Sequence, residues 1–242
     1  MVSDLSASTK ALALAERDKA WSEMARQVAH EIKNPLSPMK MQLQMLIRRK
    51  ASGKPDWQEK FDEASEMILN HIDILAATAD DFSTFAKLYS EAPVDIDLDG
   101  LLKEEVMMFE GREGIELTYF GLAGVSVRGP KPQLTRVFVN LLTNAVQAVE
   151  GAFPDGGGRI AVSLRKSVEE GFYDIVFEDN GPGVIEENIS KLFVPKFTTK
   201  SAGSGLGLAI SKSVIDRVGG TISYSRSFAL GGACFTVKYP AS

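Results

Sequence analysis

The chain has 242 residues, 44% of them hydrophobic and 24% charged, with a net charge of −5 and one cysteine. That composition excludes a disordered chain and a disulfide-stapled scaffold, and it provides no basic excess to meet a nucleic-acid backbone, so no nucleic-acid partner is expected. No run approaches the ~20 apolar residues that span a bilayer, and the opening MVSDLSASTK lacks the apolar core of a signal peptide, so the chain reads as cytoplasmic, without membrane contact.

The first ninety residues are poor in glycine and read as two helices broken at Ser52-Gly53-Lys54-Pro55, a turn signal. In the first helix Ala11, Ala25, Ile32, Met39 and Leu46 recur at heptad spacing, interrupted by Asp18 and partnered by Leu14, Trp21 and Val28. In the second, Phe61, Ile68, Leu75, Phe82 and Tyr89 recur every seven residues, flanked by Ile72, Ala79 and Ala86. Such spacing predicts a helical hairpin, and two helices cannot cover both stripes. Pairing two hairpins in a four-helix bundle can, so a homodimer is expected rather than a monomeric hairpin packed on the rest of the chain.

The segment AHEIKNPLSPMK carries the first chemistry. His30 is expected to face solvent, because the apolar stripe runs through Val28 and Ile32. Neutral imidazole is a usable nucleophile, and the adjacent Glu31 can accept a ring proton while the other nitrogen attacks. Asn34, one turn later, shares the face of His30. Pro35 and Pro38 remove two backbone donors and should bend the helix. A break with Asn34 as N-cap is the alternative, but the apolar phase persists through Val28, Ile32, Pro35 and Met39, which favours one kinked helix. His71, without such neighbours, reads as a packing or surface residue.

After Glu91-Ala92-Pro93 glycine becomes frequent and short alternating runs appear: ELTYF, VSVRG, RIAVSLRK, FYDIVFED, TISYSRS and ACFTVKYP. Helical stretches lie between them, notably Pro132 to Val149 and Leu206 to Val218. This mixture predicts an α/β sandwich with one sheet covered on one face, making the whole chain α+β. Cys234, inside an alternating run, reads as a buried structural thiol.

Four segments of this region carry potential binding chemistry. Asn140 and Asn144 stand one turn apart on a helix, where their carboxamide oxygens can ligate magnesium or simply satisfy local backbone. Asp179-Asn-Gly181-Pro-Gly183 follows an apolar strand; its carboxylate can accept from an exocyclic amino group, although a common turn would look alike. Leu192 to Lys200 mixes aromatic and basic residues. Gly203-Ser-Gly205-Leu206-Gly207 opens a helix, where exposed N–H groups bind phosphate; the missing early βαβ context argues against a dinucleotide fingerprint.

Together with AHEIKNPLSPMK, these segments resemble the H, N, G1, F and G2 boxes of sensor histidine kinases, in the family's order and over residues of roughly 20 to 242. WSEMARQVAHEIKNPLSPMK, NAVQA and FTTK are most similar to the nitrogen-regulation type. The resemblance implies autophosphorylation from ATP with Mg2+, then transfer to a receiver-domain aspartate of a response regulator, with phosphatase activity toward that regulator. It implies His30 as phosphoacceptor, Glu31 as its acid/base partner and Asn34 as the residue that positions water in the phosphatase reaction. Asn144 matches the magnesium ligand and Asn140 a companion contacting magnesium or phosphate. Asp179 matches the adenine-binding aspartate, with Gly181 and Gly183 shaping the pocket. Phe193, Phe197 and Thr199 fall in the lid, Lys200 is placed to meet a phosphate oxygen, and Gly203, Gly205, Leu206 and Gly207 lie near the phosphates. Residues 1–21 would then be a signalling-helix remnant, 22–91 the dimerisation and phosphotransfer domain and 92–242 the ATP-binding domain, alone in the cytoplasm or as the soluble part of a membrane-anchored sensor.

Two positions depart from the family pattern. Lys196 stands where a second aromatic is common, and Gln147 where some subfamilies have a basic phosphate contact, leaving Lys200 or Arg136 to supply charge. Gyrase and mismatch-repair ATPases share the ATP-binding fold and carry a glutamate four residues before the magnesium asparagine. This chain has Asn140 there, which cannot act as a base, so transfer to a side chain is favoured over hydrolysis. A catalytically dead scaffold is disfavoured by intact His30, Asn144, Asp179 and glycine loop.

Overall fold

The computed structural model describes residues 2–87, 92–195, 197–198 and 205–241. Contacts divide them into a helical unit through Lys87 and an α/β unit built mainly from the remainder.

The helical unit is a hairpin of α1 (Val2–Ala51) and α2 (Trp57–Lys87). Both prolines lie inside α1, which continues past them as one helix. At the turn Gly53 takes φ +60°, the left-handed region where glycine avoids a Cβ clash. Arg49 pairs with Asp56 across the turn, and the Lys50 ammonium lies 5.3 Å from the Trp57 ring centroid.

The buried positions described on α1 include Val28, Pro35, Met39 and Leu46, facing Ala64 and Thr78 among others on α2. Of the expected stripe, Val28, Pro35 and Met39 are buried as expected, whereas Ile32 is 37% exposed. Leu36, Leu43 and Ile47 are also exposed, following Ile32 at successive intervals of four, seven and four residues. The helix thus carries two apolar faces, of which α2 covers one. The side chains of Ala11, Leu14, Trp21 and Ala86, and all of Tyr89, lie outside the described part of the chain.

In the α/β unit β1 (Val94–Asp97) leads into α3 (Leu98–Met107), whose N-terminus is capped by Asp97 Oδ1 accepting from Gly100 N at 3.1 Å. Then follow β2 (Ile115–Phe120), β3 (Ser126–Gly129), α4 (Lys131–Ala152), β4 (Gly158–Lys166), β5 (Phe172–Asp179), α5 (Glu186–Ile189), α6 (Gly207–Arg217), β6 (Thr221–Arg226) and β7 (Ala233–Pro240). Strands β1 and β3 form a small antiparallel pair, of which the sequence patterning singled out β3, within VSVRG, but not β1. The main sheet has the order β2-β4-β5-β7-β6, parallel between β2 and β4 and antiparallel elsewhere.

Register aligns Leu164, Ile175, Val237 and Ile222 across four strands, and all four are buried. The next inward row sets Val162, Phe177, Phe235 and Tyr224 side by side. Helix α4 covers this face with Leu134, Phe138, Leu141, Leu142, Ala145 and Val149, and the Phe138 and Phe177 rings lie 6.0 Å apart. Alternate strand positions such as Arg159, Arg165 and Ser223 remain exposed, as a sheet covered on one face requires. Cys234 is buried, with Sγ 3.9 Å from Thr236 Oγ1.

Candidate functional site

His30 and Asn34 are exposed on α1, one turn apart, and Glu31 between them is half-buried. Pro35 fixes this arrangement: its ring is buried in the hairpin, which turns the preceding residues of the same turn outward. Because Pro35 and Pro38 lack an N–H, they leave the carbonyls of Glu31 and Asn34 without a helical donor. His71 is different in kind. Its ring Nδ1 bonds the carbonyl of Met67 at 2.8 Å, a local helix contact.

In the α/β unit the expected residues converge on one ridge of α4. Asn140, Asn144 and Ala148 follow one another at single-turn spacing, all half-buried. At one end Asn140 Nδ2 donates to Ser211 Oγ of α6 at 3.0 Å, and a Cβ at Gly207 would collide with Asn140 Oδ1. At the other end a Cβ at Gly181 would come within 3.0 Å of the Ala148 Cβ. Asn144 therefore lies between the glycine that opens α6 and the glycine that follows β5.

Asp179 closes β5 and is 3% exposed. Its Oδ1 accepts from Gly181 N at 2.8 Å and from Ala233 N at 3.1 Å, while its carbonyl accepts from Gly232 N at 3.0 Å. No side chain fits at Gly232, since a Cβ there would strike both oxygens. Oδ2 makes no hydrogen bond among the described residues. Burial pushes the Asp179 carboxyl above the usual aspartate range, against the opposing pull of the Ala233 and Gly181 N–H groups. Asn180 is structural: its Oδ1 accepts from Arg159 N at 2.7 Å and its Nδ2 donates to Gly157 O at 2.9 Å.

Gly183 has φ +70° and Gly205 φ +68°, so both glycines serve backbone geometry. Leu206 is fully buried, and its carbonyl accepts from Ile210 N at 2.8 Å. The N-cap position of α6 is Leu206, which supplies no side-chain cap hydrogen bond. Phe193 and Phe197 are half-buried in the segment after α5, with Phe197 N donating to Val194 O at 3.2 Å. Lys196, Thr199, Lys200 and Gly203 lie outside the described residues.

Four contributors were not singled out beforehand: Ser211, Tyr224, Gly232 and Ala233. The Gly231-Gly232 doublet was the one available signal, marking a turn but not its approach to Asp179.

Residues 20–91 match the His Kinase A (phospho-acceptor) domain, and residues 129–242 match the family described as histidine kinase-, DNA gyrase B-, and HSP90-like ATPase. Nitrogen regulation protein NtrY of Azorhizobium caulinodans is 31% identical over 211 residues, which is 86% of this chain and 27% of that protein. The chain thus spans about a quarter of this relative's length. The nucleotide-free catalytic domain of histidine kinase ThkA superposes with a TM-score of 0.55 at 26% identity, covering 62% of this chain and 99% of that domain. ThkA crystallised in complex with response regulator protein TrrA shares the fold with a TM-score of 0.67 at 23% identity, covering 94% of this chain and 64% of that one.

Proposed function

The chain belongs to the sensor histidine kinases, and on that basis we propose that it transfers the γ-phosphoryl group of ATP to His30 and then to an aspartate of a response regulator. The observation that carries this reading is the α4 ridge, which joins Asp179, Asn144 and the start of α6 into one continuous surface.

Along that surface the chemistry is ordered. Asp179 Oδ2 is the open acceptor for the exocyclic amino group of adenine, with Gly181 and Gly183 bringing backbone close to the base. The first-turn N–H groups of α6, which follow a leucine at the N-cap, suit the phosphates. Among the described residues no cluster of three His, Cys, Asp or Glu exists that could hold a metal by itself. The carboxamide oxygens of Asn144 and Asn140 would hold Mg2+, which would offset charge on the phosphoryl group.

For the transfer step, one ring nitrogen of His30 attacks the γ-phosphorus. An N–P bond forms, the bond to the bridging oxygen breaks and ADP leaves, while Glu31 accepts the proton from the other ring nitrogen. Asn34 has no basic group and serves instead to hold the water that attacks a regulator phospho-aspartate. We assign residues 22–91 to dimerisation and phosphotransfer and 92–242 to ATP binding; the lid roles of Phe193, Phe197, Thr199 and Lys200, and the phosphate role of Gly203, Gly205, Leu206 and Gly207, belong to the same reading. No helix described here is long and apolar enough to cross a membrane.

ATP labelled on its γ-phosphate tests the proposal. Label should enter the protein only with Mg2+ present, with one ADP formed for each phosphate bound. Release of free phosphate that never passes through the protein would support gyrase-like hydrolysis instead.

A further inference from the structure

The glycine turn after β5 is pinned at its near end by Asp179, whose carboxylate holds Gly181 N and Ala233 N. Its far end is held from a different strand. The phenolic oxygen of Tyr224, on β6, accepts the Val184 N–H at 2.9 Å. The same oxygen would lie 3.4 Å from a Cβ at Gly183, so the phenol touches the turn over two successive residues. Tyr224 is itself fixed: it pairs in register with Phe235, and the two rings meet edge to face with centroids 5.4 Å apart. Gly183 also abuts Gly232, the residue whose N–H binds the Asp179 carbonyl. Both ends of the turn are therefore referenced to the β6–β7 hairpin, one through the Asp179 carboxylate and one through a phenol.

We infer that Tyr224 is a positioning residue for adenine recognition, setting the far wall of the Asp179–Val184 turn through its hydrogen bond to Val184 N–H. The inference rests on the nucleotide-binding reading above. The phenol need not touch the nucleotide. Its effect is geometric: with Val184 released, the turn keeps its carboxylate but loses its spacing from the β6–β7 hairpin. Binding that depends on the base should then suffer, and binding that depends on phosphates should not.

The test is Tyr224→Phe, which keeps the ring packing against Phe235 and removes only the acceptor. ADP and inosine diphosphate are titrated into the parent and the variant, amide exchange of Val184 is followed, and autophosphorylation kinetics are measured. The loss of one neutral hydrogen bond corresponds to about a two- to tenfold weakening for ADP. Inosine diphosphate, which lacks the exocyclic amino group, should change less than about twofold on the same scale. The KM for ATP should rise by the ADP factor with kcat nearly unchanged, and the Val184 amide should exchange faster. Unchanged ADP affinity in the variant, while the parent binds ADP well, overturns the role of Tyr224 and leaves the nucleotide site standing. Equal weakening for both nucleotides together with a lower melting temperature overturns it too, since that marks a merely structural residue. A parent chain that fails to bind ADP removes the nucleotide reading, and this inference with it.

Discussion

Asn140 donates from Nδ2 to the hydroxyl of Ser211 at 3.0 Å, and that hydroxyl donates to the Gly207 carbonyl at 2.8 Å. The first turn of α6 is thereby latched to α4 at the residue that the family resemblance marks as a magnesium or phosphate contact. Ser211 is buried, so its replacement by alanine strands the Asn140 amide without this acceptor. We expect Ser211→Ala to weaken ATP binding about two- to tenfold, the range for one neutral hydrogen bond. Isothermal titration checks it. An unchanged affinity would mean that α6 holds its place without the latch.

Asp179→Asn should weaken ATP about ten- to hundredfold, because a hydrogen bond to a charged acceptor contributes roughly 1.5–3 kcal/mol. The pH dependence follows from its raised pKa. Base recognition needs the ionised form, so affinity should begin to fall at a pH above the ordinary aspartate value of 3.8. Stability runs the other way. The stabilising contribution of this carboxyl is present below 3.8 and is lost as pH rises through the raised value. The ionised group is thus a burden on the nucleotide-free protein at pH 7, and Asp179→Asn should melt no lower than the parent there. Nucleotide titrations across pH and thermal melts read both effects, and a pH profile shared by parent and variant would contradict the assignment.

Glu31 and Asn34 flank one histidine, yet only Glu31 can take its proton. Loss of Glu31 should slow autophosphorylation by ~10²–10⁴-fold, the usual range for a general base. Asn34→Ala should largely retain autophosphorylation and lose dephosphorylation of the regulator. Rapid regulator dephosphorylation by Asn34→Ala would remove the water-positioning role.

Ile32, Leu36, Leu43 and Ile47 form a second apolar face on α1, exposed in the single chain, and Phe61, Leu69 and Ile72 are exposed on α2. Apolar surface of this extent marks a partner site, and the expected partner is a second hairpin. Light scattering should show a dimer at micromolar concentration. Leu43→Glu should give a monomer of unchanged helicity, since a charge buried without a partner is costly while the same charge facing water is not. A parent that scatters as a monomer would contradict the bundle.

How far the sequence revealed these features depended on the range of the interaction. Alternation exposed β4 because Ile160, Val162 and Leu164 are buried while Arg159 and Arg165 meet water, whereas β5 and β7 stood out as apolar runs and hold no exposed residue. The apolar phase disclosed the hairpin and three of its inward positions, Val28, Pro35 and Met39, but Ile32, expected on the same stripe, is exposed. Strand β1 escaped because VDID is short and only Ile96 is buried. In the site, Asn140, Asp179 and the glycines were legible from local spacing. Ser211, Tyr224 and Gly232 were not, because each reaches the site by tertiary folding from another element, and one sequence carries no spacing rule for such contacts.

Whether His30 receives phosphate from ATP is decided by chemical analysis of the labelled protein. Parent protein incubated with Mg2+ and γ-labelled ATP should retain label that withstands base and is lost in acid, as a phosphoramidate is. His30→Ala should retain none while binding ATP nearly as well as the parent. Label that persists in His30→Ala, or that survives acid in the parent, would contradict the account.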